Sequence, residues 1–218
     1  AKLFDVIRLD HFAAIVKYYV VPNKAEDGRS GKWSRGPGKK LTDAIEKVIG
    51  DTHIIVEDIA GKSPIPGVKK LMARTGWPGI KILMFAFGDD TANEHLPHNY
   101  TDCNLVVYAG THDNETLVSW YQTITAAERA MVRDYLYDYA TPEEQLYKSM
   151  IALVLRSAAA TCIIPMQDWL GLDNSARINK PSTVGENWRW RLKKTQLTKK
   201  LQKEICRMTT RYGRMNWE

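Results

Sequence analysis

A chain of 218 residues, 44% hydrophobic and 26% charged, is long enough to bury a sizeable core and reads as one soluble globular domain. It has no run of 18 apolar residues to span a membrane, and Ala1-Lys2-Leu3-Phe4-Asp5 is neither a signal peptide nor, lacking Met, a natural start. Cys103, Cys162 and Cys206 are odd in number and widely spaced, which excludes a disulfide framework or C-x-x-C zinc site and fits a reduced, cytoplasmic setting.

The first element is Val6 to Leu9, an apolar, β-branched run that ends abruptly in charge at Asp10 and His11. This is the pattern of a buried parallel strand that delivers polar side chains at its C-terminal end. Arg8 and Asp10 are two apart and point to one side of the strand. Tyr18 to Pro22 follows, then Gly31 to Lys39, which resembles a phosphate loop without its spacing and is predicted to be a structured surface loop. Leu41 to Val48 has helical periodicity.

His53 to Asp58 is a second apolar run ending in carboxylates. Pro64 to Thr75 reads as a short helix, Gly79 to Phe87 as a third strand, and Asn104 to Asn114 as a fourth, ending in His112-Asp113-Asn114. Helices are predicted over Ala126 to Tyr139 and Pro142 to Ala160, a fifth strand over Cys162 to Asp168, and a closing helix over Leu197 to Tyr212. Strands alternating with helices imply an α/β fold with a parallel sheet.

The net charge of +6 is unevenly spread: from Asn187 to Glu218 there are ten Lys/Arg against two Asp/Glu. A nucleic-acid patch would need such a cluster. However, Leu197, Leu201, Ile205, Met208 and Tyr212 fall at helical spacing, which makes Lys199, Lys200 and Lys203 the outer face of a packed helix. No nucleic-acid or membrane partner is expected.

Three strand ends present acids: Asp10, Glu57 and Asp113. In a parallel barrel all strand C-termini share the face that holds the active site, so these acids are expected to converge. Converging carboxylates serve retaining glycosidic chemistry: one attacks the anomeric carbon, and another, kept protonated, donates to the leaving oxygen. Arg8 and His112 would add hydrogen bonds to the same sugar. The competing use is metal binding. His95-x-x-His98 sits in a Pro-containing loop with no acid at ligand spacing, so no metal is expected. Phe85, Trp33, Trp120 and Trp169 are available as sugar platforms, although each also suits a packing role.

Taken together, the chain resembles the 4-α-glucanotransferases (amylomaltases or disproportionating enzymes) of glycoside hydrolase family 77. The matches, in order, are Arg8-Leu9-Asp10-His11-Phe12, Tyr18 to Pro22, Gly31 to Gly38, Val56-Glu57-Asp58, Pro78 to Phe87, Leu96-Pro97-His98-Asn99-Tyr100, Tyr108 to Asn114, Ile164 to Asp168, Ala176-Arg177-Ile178-Asn179 and Asn187 to Leu192.

The resemblance implies Asp10 as nucleophile, Glu57 as general acid/base and Asp113 as transition-state stabiliser. It implies Arg8, His112, Phe85 and Asn179 as substrate contacts, a maltooligosaccharide or α-glucan substrate, and no cofactor. The implied fold is the C-terminal portion, about strands 4 to 8, of a TIM (β/α)8 barrel. Residues 1–218 would be a partial catalytic domain without the N-terminal strands and with little activity alone. An α-glucan hydrolase and a non-catalytic glucan-binding relative are the alternatives, and oligomeric state is left open. The chain departs from the family pattern at Ala13-Ala14 (Arg-Gly), Ile59-Ala60 (Leu-Gly), Ser182 (Gly) and Glu186 (Gly), and in a longer segment after Pro64.

Overall fold

A computed structural model describes residues 2–59, 65–88 and 90–215. Strand β1 (Val6–Leu9) leads into a short helix, α1 (Ala13–Val16), then β2 (Lys17–Val20), β3 (Lys32–Arg35) and α2 (Lys39–Ile49). Next come β4 (His53–Val56), α3 (Val68–Thr75), β5 (Gly79–Ile82) and β6 (Leu105–Tyr108). The order continues with α4 (Leu117–Thr123), α5 (Ala126–Leu136), α6 (Leu146–Leu155), β7 (Thr161–Ile163), α7 (Met166–Trp169) and α8 (Lys199–Arg211). This is the α/β alternation expected. Among the described residues the strands pair as β1-β4, β2-β3 and β5-β6-β7.

The chain divides into two compact units, Ala1–Ile80 with Asn104–Val106, and Lys81–Cys103 with Val107–Glu218. In the first unit, β1 and β4 run parallel with Leu9 opposite Val56. The Glu57 amide donates to the Leu9 carbonyl at 2.9 Å and the Phe12 amide to the Glu57 carbonyl at 2.8 Å. Phe12, Ala13, Ile54, Val56, Val68 and Leu71 make the core, with Ile15, Val16, Ile45 and Trp77 against it. Ala13, one of the departures from the family pattern, is fully buried there. Ala60 and Pro64 lie outside the described residues.

β1 is less buried than its sequence suggests. It pairs with β4 alone among the described residues, and Leu3, Phe4 and Val6 stay exposed. Beyond β4, the Val56 amide donates to the Pro78 carbonyl and the Ile80 amide to the Asp58 carboxylate, each at 2.9 Å. Gly79 leaves room at this crossing for the Met72 and Asp58 side chains, which a Cβ there would meet at 2.6 and 2.8 Å.

The predicted surface loop over Gly31 to Lys39 is corrected. Its Lys32–Arg35 stretch pairs antiparallel with β2, Tyr19 opposite Trp33. The aromatic cross-strand pair, 5.3 Å between centroids, supplies the hairpin's side-chain contact. Gly36 lets the chain leave the hairpin, since a Cβ there would sit 2.2 Å from the Ile15 carbonyl oxygen.

In the second unit, α6 is the central helix. Leu146, Met150, Ile151, Leu153, Val154 and Leu155 are all buried, and it packs against α4, α5, α7 and α8. α8 buries Leu201 and Met208 and leaves its lysines outside, which is the solvated helix face expected. No helix among the described residues is long and apolar enough to cross a membrane.

Several predicted strands are shorter than expected: the run over Asn104 to Asn114 is strand only over Leu105–Tyr108. The run over Gly79 to Phe87 leaves the sheet at Ile82 and turns into a 3-10 helix, Leu83–Phe85. The Ile82 amide is diverted to the His95 imidazole at 3.1 Å, and the Asn93 side chain donates to the Phe85 carbonyl at 2.8 Å. The run over Cys162 to Asp168 stops at Ile163, because Pro165 caps α7. The helix predicted from Pro142 starts at Leu146 after a 3-10 turn. Helix α4, which periodicity did not single out, is capped by Thr116, whose hydroxyl accepts from the Ser119 amide.

Asp168 is buried, and its carboxylate accepts from the first amide of α4, Leu117, at 2.8 Å. Burial pushes its carboxyl up to about 7, against the pull of that amide. A carboxyl raised on folding stabilises the protein below its unfolded pKa, near 4, and that stability is lost as pH rises through about 7. Asn keeps the acceptor oxygen and never ionises. Asp168→Asn is therefore expected to melt higher than wild type at pH 8, by on the order of 5 °C, and to match it near pH 4. Thermal denaturation at the two pH values checks this.

Candidate active site

The first unit holds Arg8, Asp10 and Glu57. Parallel pairing of Leu9 with Val56 makes Asp10 and Glu57 the next residues at adjacent strand ends. Arg8 then joins them: one guanidinium nitrogen, Nη2, lies 3.2 Å from Asp10 Oδ1 and 2.6 Å from Glu57 Oε2. The two carboxylates thus share one guanidinium nitrogen, near enough for the Asp10 carboxylate to act on Glu57 directly.

The environments of the two acids differ. The Asp10 side chain is 64% exposed and that of Glu57 is 22% exposed. Burial, reinforced by the Asp10 carboxylate, pushes the Glu57 carboxyl up, while Arg8 pulls it down. A carboxyl raised in this way is suited to the acid role, and the more exposed Asp10 is open to attack a substrate. Immediately after Asp10, His11 adopts a left-handed backbone, φ 46°. This turn ends the strand, directs Asp10 outward and returns Phe12 to the core. Strain of this kind at a non-glycine residue costs on the order of 1–3 kcal/mol and concentrates at functional sites.

The second unit holds His112, Asp113, Asn179 and Phe85. Asp113 Oδ1 accepts from the Asn179 amide at 2.5 Å and lies 3.3 Å from His112 Nε2. The Asn179 backbone amide donates to the His112 carbonyl at 3.1 Å, so residues 66 positions apart along the chain form one polar cluster. Arg177, quoted in a motif but given no role from sequence, fixes the loop by donating to the Asp113 carbonyl at 2.6 Å and the Asn179 carbonyl at 2.9 Å. A short stretch with Arg two residues before Asn was the available signal.

Phe85 is 43% exposed and stands edge-on to His95, 5.7 Å between centroids. Burial, with Lys81 beside it, pushes the His95 imidazole down to about 4, so it stays neutral and accepts from Ile82. His95 is thus a structural support for the ring. Of the other aromatics considered as platforms, Trp120 is core and Trp33 belongs to the hairpin. Among the described residues no three His, Cys, Asp or Glu are grouped to hold a metal ion.

The first unit thus carries two carboxylates paired through a shared arginine at parallel strand ends, and the second a carboxylate, imidazole and amide cluster and an exposed aromatic. The sequence profile of glycoside hydrolase family 77, described as 4-alpha-glucanotransferase, matches residues 1–198, and the chain belongs to that family. It is 42% identical to a 4-alpha-glucanotransferase of Clostridium butyricum over 98% of this chain and 43% of the relative. It is 40% identical to a chloroplastic/amyloplastic 4-alpha-glucanotransferase of Arabidopsis thaliana over 98% of this chain and 37% of the relative. Its fold matches the amylomaltase from Streptococcus agalactiae in complex with acarbose, with a TM-score of 0.89 and 35% identity over 99% of this chain and 43% of that one. The chain thus spans about two fifths of the length of these relatives.

Proposed function

We propose that this chain is the C-terminal catalytic part of a retaining 4-α-glucanotransferase, contributing about strands 4 to 8 of a (β/α)8 barrel. The observation that carries the reading is the Arg8 clamp, which joins Asp10 and Glu57 at adjacent parallel strand ends. Family membership and the fold match support it. The exposed apolar start of β1, with its unpaired side, supports further strands in the complete barrel.

In this reading Asp10, ionised beside Arg8, attacks the anomeric carbon of an α-1,4-glucan. Glu57 donates its proton to the departing glycosidic oxygen, and a glucanosyl ester forms on Asp10. The shortened glucan leaves. Glu57, now a carboxylate, takes the proton from the 4-hydroxyl of an incoming glucan, whose oxygen displaces Asp10 and restores the α-linkage. Asp113, oriented by Asn179 and accompanied by His112, binds sugar hydroxyls more strongly as charge develops on the ring. Phe85, backed by His95, offers an apolar face to the sugar. The chemistry needs no cofactor.

Incubation with maltotriose tests the reading. The chain preceded by the N-terminal portion of the Clostridium butyricum relative is expected to make maltopentaose and glucose, and the chain alone to make less than about 1% as much, because a barrel's active face is built from the loops of all eight strands. Products no longer than the substrate would identify a hydrolase. A folded chimera that leaves maltotriose untouched would contradict the reading.

A further inference from the structure

The second unit carries an aromatic ring with no role in the mechanism above. Trp188 is 57% exposed, and its indole lies over the His112 imidazole, 5.2 Å between centroids with 33° between planes. Its backbone is left-handed, φ 65°, a region that glycine enters freely and a bulky aromatic rarely does. The surroundings hold it there. The Trp188 amide donates to the Ile178 carbonyl at 2.7 Å, and the Arg191 side chain donates to the Trp188 carbonyl at 2.8 Å. Asn187 bridges the loop by accepting from the Lys180 amide at 2.9 Å and donating to the Thr183 carbonyl at 2.9 Å.

A loop that needs φ > 0 at this position is served by glycine, and a ring needed only for packing is served by a buried one. An exposed tryptophan held in an unfavourable conformation beside a carboxylate is explained by a ligand that uses its free face. We infer that Trp188 is a sugar-contacting platform. The apolar face of a glucose ring stacks on the indole while its hydroxyls reach the cluster of Asp113, His112 and Asn179, whose imidazole the indole covers. A pyranose has both an apolar C–H face and a polar rim, and this pairing of indole with carboxylate, imidazole and amide meets both. The inference rests on the α-glucan reading above and adds to it a substrate-contacting residue.

The test is maltoheptaose binding to the chain, followed by calorimetry and by the nuclear magnetic resonance signal of the Trp188 indole N–H. Wild type is expected to bind at millimolar sugar with that signal displaced. Trp188→Ala should weaken binding about ten-fold or more, and Trp188→Phe by no more than about three-fold. Trp188→Gly should lose binding like the alanine variant yet unfold no lower than it, because glycine relieves the left-handed φ. If wild type binds maltoheptaose while the indole signal stays still, or Trp188→Ala binds as wild type does, the platform is overturned and the glucan reading stands. If the chain alone binds no maltoheptaose, the same comparison is made in the chimera with the N-terminal portion of the Clostridium butyricum relative; if that folded protein binds none either, both fall.

Discussion

Asp10→Asn is expected to reduce maltotriose disproportionation, measured in the chimera, by on the order of 10⁴-fold or more, with the fold unchanged. Asparagine has the shape of aspartate and keeps an oxygen for the Arg8 guanidinium 3.2 Å away, but it forms no glucanosyl ester. The structural loss is small because the Asp10 side chain is 64% exposed, and an exposed ion pair contributes about 0–1 kcal/mol. A large loss of activity with a thermal midpoint within about 3 °C of wild type separates a nucleophile from a structural carboxylate. The same substitution has an electrostatic consequence. Asp10 is one of the groups that raise the Glu57 pKa, so its removal should lower that pKa and move the alkaline limb of binding or residual activity toward lower pH.

Glu57→Gln is expected to lose about 10²–10⁴-fold on maltotriose but to release a first, stoichiometric burst of fluoride from α-maltotriosyl fluoride at a rate near wild type, because that leaving group needs no protonation. Burial and the neighbouring Asp10 charge keep Glu57 protonated above the usual carboxylate range. Activity on maltotriose should therefore fall as pH rises through the Glu57 pKa, and fluoride release by the variant should lack that limb. The second half-reaction needs Glu57 as base, so the ester on Asp10 should accumulate in the variant. Equal losses on both substrates would remove Glu57 from the acid role.

The strand ends were legible because each apolar run stops in charge: Val6–Leu9 before Asp10, His53–Val56 before Glu57, Leu105–Tyr108 before His112 and Asp113. Asp10 and Glu57 could be listed from that pattern, but their neighbourhood depends on β1 pairing in parallel with β4, each residue with a partner 47 positions away, which no local period encodes. The hairpin was missed because Gly31, Gly36, Pro37 and Gly38 mask a four-residue strand whose partner lies 15 residues earlier. Gly79 to Phe87 looked like one long strand because Leu83 and Met84 are buried in a 3-10 turn as thoroughly as they would be in a sheet. Ser182 stands where the family pattern has glycine and is left-handed, φ 63°, so the loop keeps its shape at some cost. Trp188 was part of a quoted motif, yet neither its exposure nor its backbone follows from residue type.

Peptide mapping by mass spectrometry of the Glu57→Gln chimera treated with α-maltotriosyl fluoride tests the central claim most directly. The retaining mechanism requires a covalent maltotriosyl ester on Asp10, absent from the Asp10→Asn, Glu57→Gln double variant. An adduct on any other carboxylate, or fluoride release with no adduct at Asp10, would contradict it.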